Sequence, residues 1–108
     1  MDISARDRLP RALASELERK FFWWEPVGSQ PRSDDRILGQ AMTQASFEDV
    51  RFLERTLGAD RLVDVMLMAA PGWIDERSWE FWRGRLTLAT GRPIAETPPR
   101  RSFDAGLA

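Results

Sequence analysis

The sequence predicts an all-α fold, a compact bundle of about five short helices with an extended C-terminal arm. Three observations lead there. Apolar residues recur at spacings of three and four, as one face of a helix requires, and no segment sustains the period-two alternation of a half-buried strand. Side chains suited to capping helices, Ser33, Ser46 and Asp75, stand immediately before the periodic runs. Proline and glycine interrupt the chain between those runs, at Pro26, Gly28, Pro31, Gly58, Pro71 and Gly72. The 108 residues suffice for one domain with its own core. Residues 1–90 are read as that domain and 91–108 as the arm.

Taken in order, Pro10 suits the first turn of a helix, where its missing N–H is no loss. Leu13, Leu17, Phe21 and Trp24 then draw one apolar stripe over about 10–24, leaving Phe22 and Trp23 in need of a second surface, from the last helix or the arm. Ser33 caps the next helix, with Asp34 and Asp35 at the positive end of its dipole. Ile37, Leu38, Ala41, Met42 and Ala45 mark its buried face. Ser46 and Asp49 have capping-box spacing; Val50, Leu53 and Leu57 line the helix they open, and Gly58 is expected to end it in the left-handed conformation. The segment of about 60–70 carries Leu62, Val63, Val65, Met66, Leu67 and Met68, apolar nearly all round, and is expected to be the central, most buried helix. Asp75 caps a last helix running to about 88, whose core stripe is Trp79, Trp82 and Leu86. From Gly91 onward prolines and glycines without periodicity read as the extended arm.

Composition excludes whole classes of chemistry. Sixteen basic residues against seventeen acidic ones give a formal charge of -1, so no global field draws the protein to nucleic acid or anionic lipid. Cys and His are absent, which removes disulfides, thiolate and imidazole metal ligands, cysteine nucleophiles and the commonest general base. No cofactor or metal is expected. Residues 1–20 lack the apolar run of a signal peptide, and no stretch approaches the roughly 18 apolar residues that span a bilayer. A cytoplasmic protein without a membrane partner is expected.

Several features invite a functional reading and have a plainer one. FFWW at 21–24 could stack bases, but stacking platforms interleave aromatics with basic residues, and here Arg19 and Lys20 precede the cluster while Glu25 follows it. Core packing at a helix end is favoured. FEDVRFLERTLGADRLVDVML resembles helix, turn, helix, yet its second helix offers Arg61 as its sole cation where a recognition helix presents polar and basic groups to DNA. Asp34/Asp35, Glu48/Asp49 and Asp75/Glu76 are adjacent carboxylates at helix starts, where dipole complementarity already accounts for them. PPRR at 98–101, followed by Phe103, reads as a docking arm or a solvated tail.

The order of motifs, FFWW, then DDRILGQAMTQASFEDVRFLERTLGADRL, then PGWIDERSWEFW, resembles a family of small bacterial proteins. That family shows an N-terminal Phe-Trp signature, an Ile-Leu helix, a short turn leading into Glu-Asp, a Leu followed by an aromatic-Gly or Leu-Gly turn, and a closing Phe-Trp. Here those positions correspond to Phe22-Trp23, Ile37-Leu38, Glu48-Asp49, Leu57-Gly58 and Phe81-Trp82, over about residues 21–83. Members are often encoded beside nucleotidyltransferase-like toxins of the abortive-infection type. The resemblance therefore implies an antitoxin or accessory role.

Together these readings lead to a non-enzymatic protein-binding module, an antitoxin or accessory subunit to a neighbouring nucleotidyltransferase-like toxin. Its partner is a protein, such as a cognate toxin; neither nucleic acid nor membrane is expected, and self-association is compatible. The alternative is a DNA-binding transcriptional regulator using the 47–70 helix pair. Phe52 lies opposite its helix's apolar face, and Phe81 and Leu88 lie off the Trp79, Trp82 and Leu86 face. These three are the candidate contacts, with Arg83, Arg100 and Arg101 as rim cations for an acidic partner. The competing expectation is that the arm folds back and covers them.

Overall fold

In a computed structural model that describes residues 9–25 and 32–100, the described residues form five helices and no strand. These are α1 (Arg11–Phe21), α2 (Asp34–Gln44), α3 (Phe47–Leu57), α4 (Ala59–Met68) and α5 (Glu76–Thr90). None of them is long and apolar enough to cross a membrane.

The starts of α2, α3 and α5 follow the capping side chains. Ser33 Oγ accepts from the Arg36 backbone N–H at 3.1 Å, and Asp75 Oδ1 from that of Ser78 at 2.8 Å. Ser46 and Asp49 form a reciprocal capping box. The first-turn carboxylates do more than complement the dipole. Asp34 pairs with Arg11 at 2.8 Å, Asp35 with Arg61 at 2.8 Å and Asp49 with Lys20 at 2.5 Å. Helix starts thus double as the points where α1 and α4 are tied to α2 and α3.

α1 departs from expectation at both ends. Pro10 is its N-cap, with a non-helical ψ of 136°, and the helix stops at Phe21, because Phe22 turns out of it at φ -126° and ψ 44°. The 3.6-residue phase therefore does not carry on to Trp24. Phe21 and Phe22 enter the core, whereas Trp23 and Trp24 are 74% and 50% exposed. Among the described residues, the Phe22 ring is met by guanidinium groups and by Trp24, 5.5 Å away between centroids. Arg32 lies 3.9 Å and Arg36 5.1 Å from its ring centroid, close enough for cation–π attraction. Arg32 is itself held by Glu18 and Glu25.

The most buried stretch is in α2 rather than α4. All six residues from Ile37 to Met42 are buried, and α2 packs against α1, α4 and α5. α4 buries Leu62, Val63, Val65 and Met66, but Leu67 and Met68 in its last turn are exposed. An all-round apolar helix should be buried all round, yet no described neighbour covers the end of this one. Gly58 alone joins α3 to α4, at φ 88° and ψ 151°. This is a positive-φ conformation reserved for glycine, distinct from the expected left-handed helical one.

Trp79, Trp82 and Leu86 are buried as their spacing predicts, and α5 runs on to Thr90 before Gly91 closes it at φ 73°. The chain then folds back. Ile94 enters the core, Trp79 Nε1 donates to the Ala95 carbonyl at 2.8 Å, and Arg92 reaches Asp60 and Asp64 on α4. Residues 91–100 are thus anchored along one flank of α5, although they leave Phe52, Phe81 and Leu88 exposed. The rest of the arm, including Arg101 and Phe103, lies outside the described residues.

Candidate functional site

Of the six side chains singled out from sequence, the five among the described residues are distributed over separate surfaces. Phe52 flanks a hollow of about 380 Å³ between α1 and α3, where Glu16, Lys20, Glu48, Asp49 and Arg55 bring charges of both signs. Phe81 lines a second hollow, of about 430 Å³, between the α2–α3 junction and α5. Leu88, 90% exposed, projects from the far end of α5 beside Arg83, Gly84 and Thr87. All four belong to one helix, so no second element among the described residues lines that surface. Arg83 turns toward the arm, its Nε donating to the Ile94 carbonyl at 3.1 Å, and Arg100 stands 3.7 Å from Glu76. Arg101 lies outside the described residues.

Of these surfaces, the hollow at Phe81 has a consistent chemistry. Its apolar lining comes from Met42, Ala45, Phe47, Val50, Phe81 and Trp82, its uncharged polar groups are Thr43 and Ser78, and among the described residues Arg77 is the one charged side chain that lines it. Phe81 meets Trp82 edge to face, with centroids 5.5 Å apart and planes at 82°. That geometry is favourable for two aromatic rings, and it makes the exposed ring continuous with the fully buried one. Phe47, on the opposite wall, is 62% exposed.

The hollow's floor is built by the end of α2. The last carbonyls of any helix lack partners within it, and here α5 supplies them. Trp82 Nε1 donates to the Met42 carbonyl at 2.9 Å, and Ser78 Oγ to the Thr43 carbonyl at 3.0 Å. Thr43 Oγ1 in turn donates to the Trp73 carbonyl at 3.1 Å and accepts from the Asp75 backbone N–H at 3.3 Å. Above the floor, Arg85 clamps α5 to α3 by donating through Nε and Nη2 to Glu54, at 2.5 and 2.9 Å, and lies 5.8 Å from the Phe47 ring centroid. The bond to Glu54 raises the pKa of Arg85 above its ordinary value. A site fixed at both walls needs little ordering on binding, which favours affinity.

Sequence reasoning missed Phe47. It lies three residues before Val50, a spacing that assigns it to the buried face of α3. It is, however, the first residue of that helix, directly after the Ser46 cap, and the end position leaves the ring short of cover. The capping box was the available signal, because it fixes where α3 begins and hence which side chain projects from its tip.

The remaining candidates resolve into structure. The outer positions of α4 are Asp60, Leu67 and Met68, while Arg61 pairs with Asp35 and Asp64 with Arg92. A helix so arranged offers DNA little positive charge. Arg36, whose pKa is lowered by burial and by the charge of nearby Arg32, lies between the rings of Phe22 and Trp73, 5.1 and 5.9 Å from their centroids. Among the described residues, no group of three or more acidic side chains gathers as a metal site.

Compared with known proteins, the chain matches no family model, and no curated protein or solved structure is significantly similar to it.

Proposed function

We propose that this protein is a non-enzymatic protein-binding module, acting as an antitoxin or accessory subunit to a neighbouring nucleotidyltransferase-like toxin. The observation that carries the binding role is the amount of aromatic surface outside a well-packed core. Phe47, Phe52 and Phe81 are 62%, 38% and 43% exposed, while Trp82, which lines the same hollow as Phe47 and Phe81, is 1% exposed. A fold that seals its interior this well and still presents several large rings gains from a second molecule that covers them. The toxin as partner rests on the resemblance of the Phe22-Trp23 to Phe81-Trp82 motif order to the antitoxin-like family.

Co-expression and co-purification with the product of the adjacent gene test the reading, with Phe52→Asp and Phe81→Asp as separate variants and thermal melting as the control. A complex lost in Phe81→Asp while the melt is preserved is the expected result. Absence of any complex for the unmodified protein would overturn the reading. The DNA-binding alternative requires salt-sensitive binding to the protein's own promoter, which a purely protein-binding antitoxin does not show.

A further inference from the structure

We infer that the Phe47–Phe81 hollow receives an apolar side chain from an acidic segment of a partner protein, and that a carboxylate of this segment pairs with Arg77. This rests on the protein-binding role proposed above and names the chemistry of the partner.

Three properties of the hollow lead to that occupant. The first is shape: two exposed rings, on α3 and α5, form walls about a floor of Met42, Val50 and Trp82, so the space suits a ring or a branched aliphatic group. The second is charge. Arg77 is the only charged lining residue, it is exposed, and it has no ion pair or hydrogen bond among the described residues. The neighbouring cation, Arg85, is already engaged by Glu54. An incoming carboxylate therefore meets one uncommitted guanidinium and no lining carboxylate to repel it, whereas an incoming ammonium meets a lining charge of its own sign. The third is satisfaction of the floor. The Met42 and Thr43 carbonyls are taken by Trp82 and Ser78, so an apolar group can displace water there without stranding a buried acceptor.

The α1–α3 hollow differs in its charges. Phe52 stands among two cations and three carboxylates, and covering such a mixture strips water from charges of both signs with no single complementary partner. The lining of the Phe81 hollow carries one sign only. It is the surface on which apolar burial and charge pairing can be realised by the same short segment.

The probes are 4-phenylbutyrate and 4-phenylbutylamine, which share a ring and chain and differ in the sign of the terminal charge. Each is titrated into the full-length protein at low salt, with backbone amide NMR shifts as the readout. Ligands of about a dozen non-hydrogen atoms bind such sites in the millimolar range. The carboxylate is expected to move the amides of Phe47, Ser78 and Phe81 and to bind about threefold to tenfold tighter than the amine, as a partly exposed ion pair allows. In Arg77→Glu the preference should reverse. That change places an acid in the first turn of α5, where the dipole favours it, so the fold is expected to persist. Equal affinity for both probes, an unchanged order in Arg77→Glu, or shifts confined to the Phe52 side would overturn the inference. If the protein co-purifies with its neighbour and Arg77→Glu leaves that complex intact, the inference fails while the binding role stands. If the probes behave as expected but no neighbour binds, the hollow's chemistry stands and the toxin assignment fails.

Discussion

Trp82 offers the sharpest test of how this fold is held. Its side chain is 1% exposed, and its indole N–H donates to the Met42 carbonyl at 2.9 Å, closing the end of α2. Two substitutions separate packing from hydrogen bonding. Trp82→Phe keeps a ring but removes the donor, stranding a buried carbonyl at a cost of about 1–3 kcal/mol. The void left by the smaller ring, some tens of Å³ at about 24 cal/mol per Å³, adds about 1 kcal/mol. A total loss of about 2–4 kcal/mol follows. Trp82→Ala removes the ring as well and falls in the range of about 3–5 kcal/mol found for large aromatic truncations. Against a stability of about 5–15 kcal/mol for a domain of this size, either change is a large fraction of the whole. Urea denaturation followed by far-UV circular dichroism reads the effect. With a slope of about 1–3 kcal/mol per molar urea, a loss of 3 kcal/mol lowers the midpoint by about 1–3 M. A Trp82→Phe midpoint indistinguishable from wild type would refute the role of the indole N–H. A Trp82→Ala loss below about 1 kcal/mol would refute the assignment of this face to the core.

Three further substitutions probe the helix starts and the helix interiors. For Asp49, burial pushes the pKa up. The hydrogen bond from Lys20, those from the Ser46 backbone and side chain, and the Lys20 charge together outweigh it, leaving the carboxyl below its ordinary value of 3.8. A carboxyl depressed on folding contributes stability that is fully present above the unfolded pKa and is lost as pH falls through the folded one. The wild-type melting temperature should therefore drop on acidification below about pH 5, where unfolded carboxylates begin to protonate. Asp49→Asn should be less stable at neutral pH and show a shallower acid limb; parallel curves would exclude Asp49 as a contributor. Gly84→Ala should stabilise α5 by about 0.5–1 kcal/mol, or roughly 2–8 °C in melting temperature, because an added Cβ meets nothing within 4 Å. Gly39→Ala is the internal contrast: its Cβ would stand 3.3 Å from that of Trp73, so crowding should cancel much of the same helical gain. Equal gains at the two positions would show that crowding by Trp73 has no energetic weight.

How much of this was legible in the sequence depends on the range of the interaction that decides each feature. Caps act within four residues, so Ser33, Ser46 and Asp75 announced their helices correctly. Inward faces follow from local periodicity, which is why Ile37, Leu53, Leu62 and Trp82 were assigned to the core and are found there. Periodicity fails where a helix stops early. Trp24 keeps the phase of Leu17 and Phe21 only if α1 continues; once the backbone turns at Phe22, the ring that packs is Phe22, under Arg32 and Arg36. Neither arginine carried a local sign of that role. It fails also where a single apolar residue in an irregular segment is decisive. Leu9, Ile74 and Ile94 are buried, yet each stands outside any periodic run.

The candidate site was legible by half, for a related reason. Subtracting the inward faces from α3 and α5 leaves Phe52, Phe81 and Leu88 pointing outward, and all three are exposed. Whether two outward residues meet depends on how the helices cross, which no single helix encodes. Phe52 faces the α1 side, where the Lys20–Asp49 pair ties α1 to α3, and Leu88 lies beyond any neighbouring wall. The ring that joins Phe81 is Phe47, carried there by two long-range devices: the Trp82 and Ser78 bonds that seat α5 against the end of α2, and the Arg85–Glu54 clamp. These contacts span 31 to 40 positions of sequence. A surface composed by such contacts shows in the sequence only as unexplained outward apolar residues, and the pairing of helices selects which of them come together.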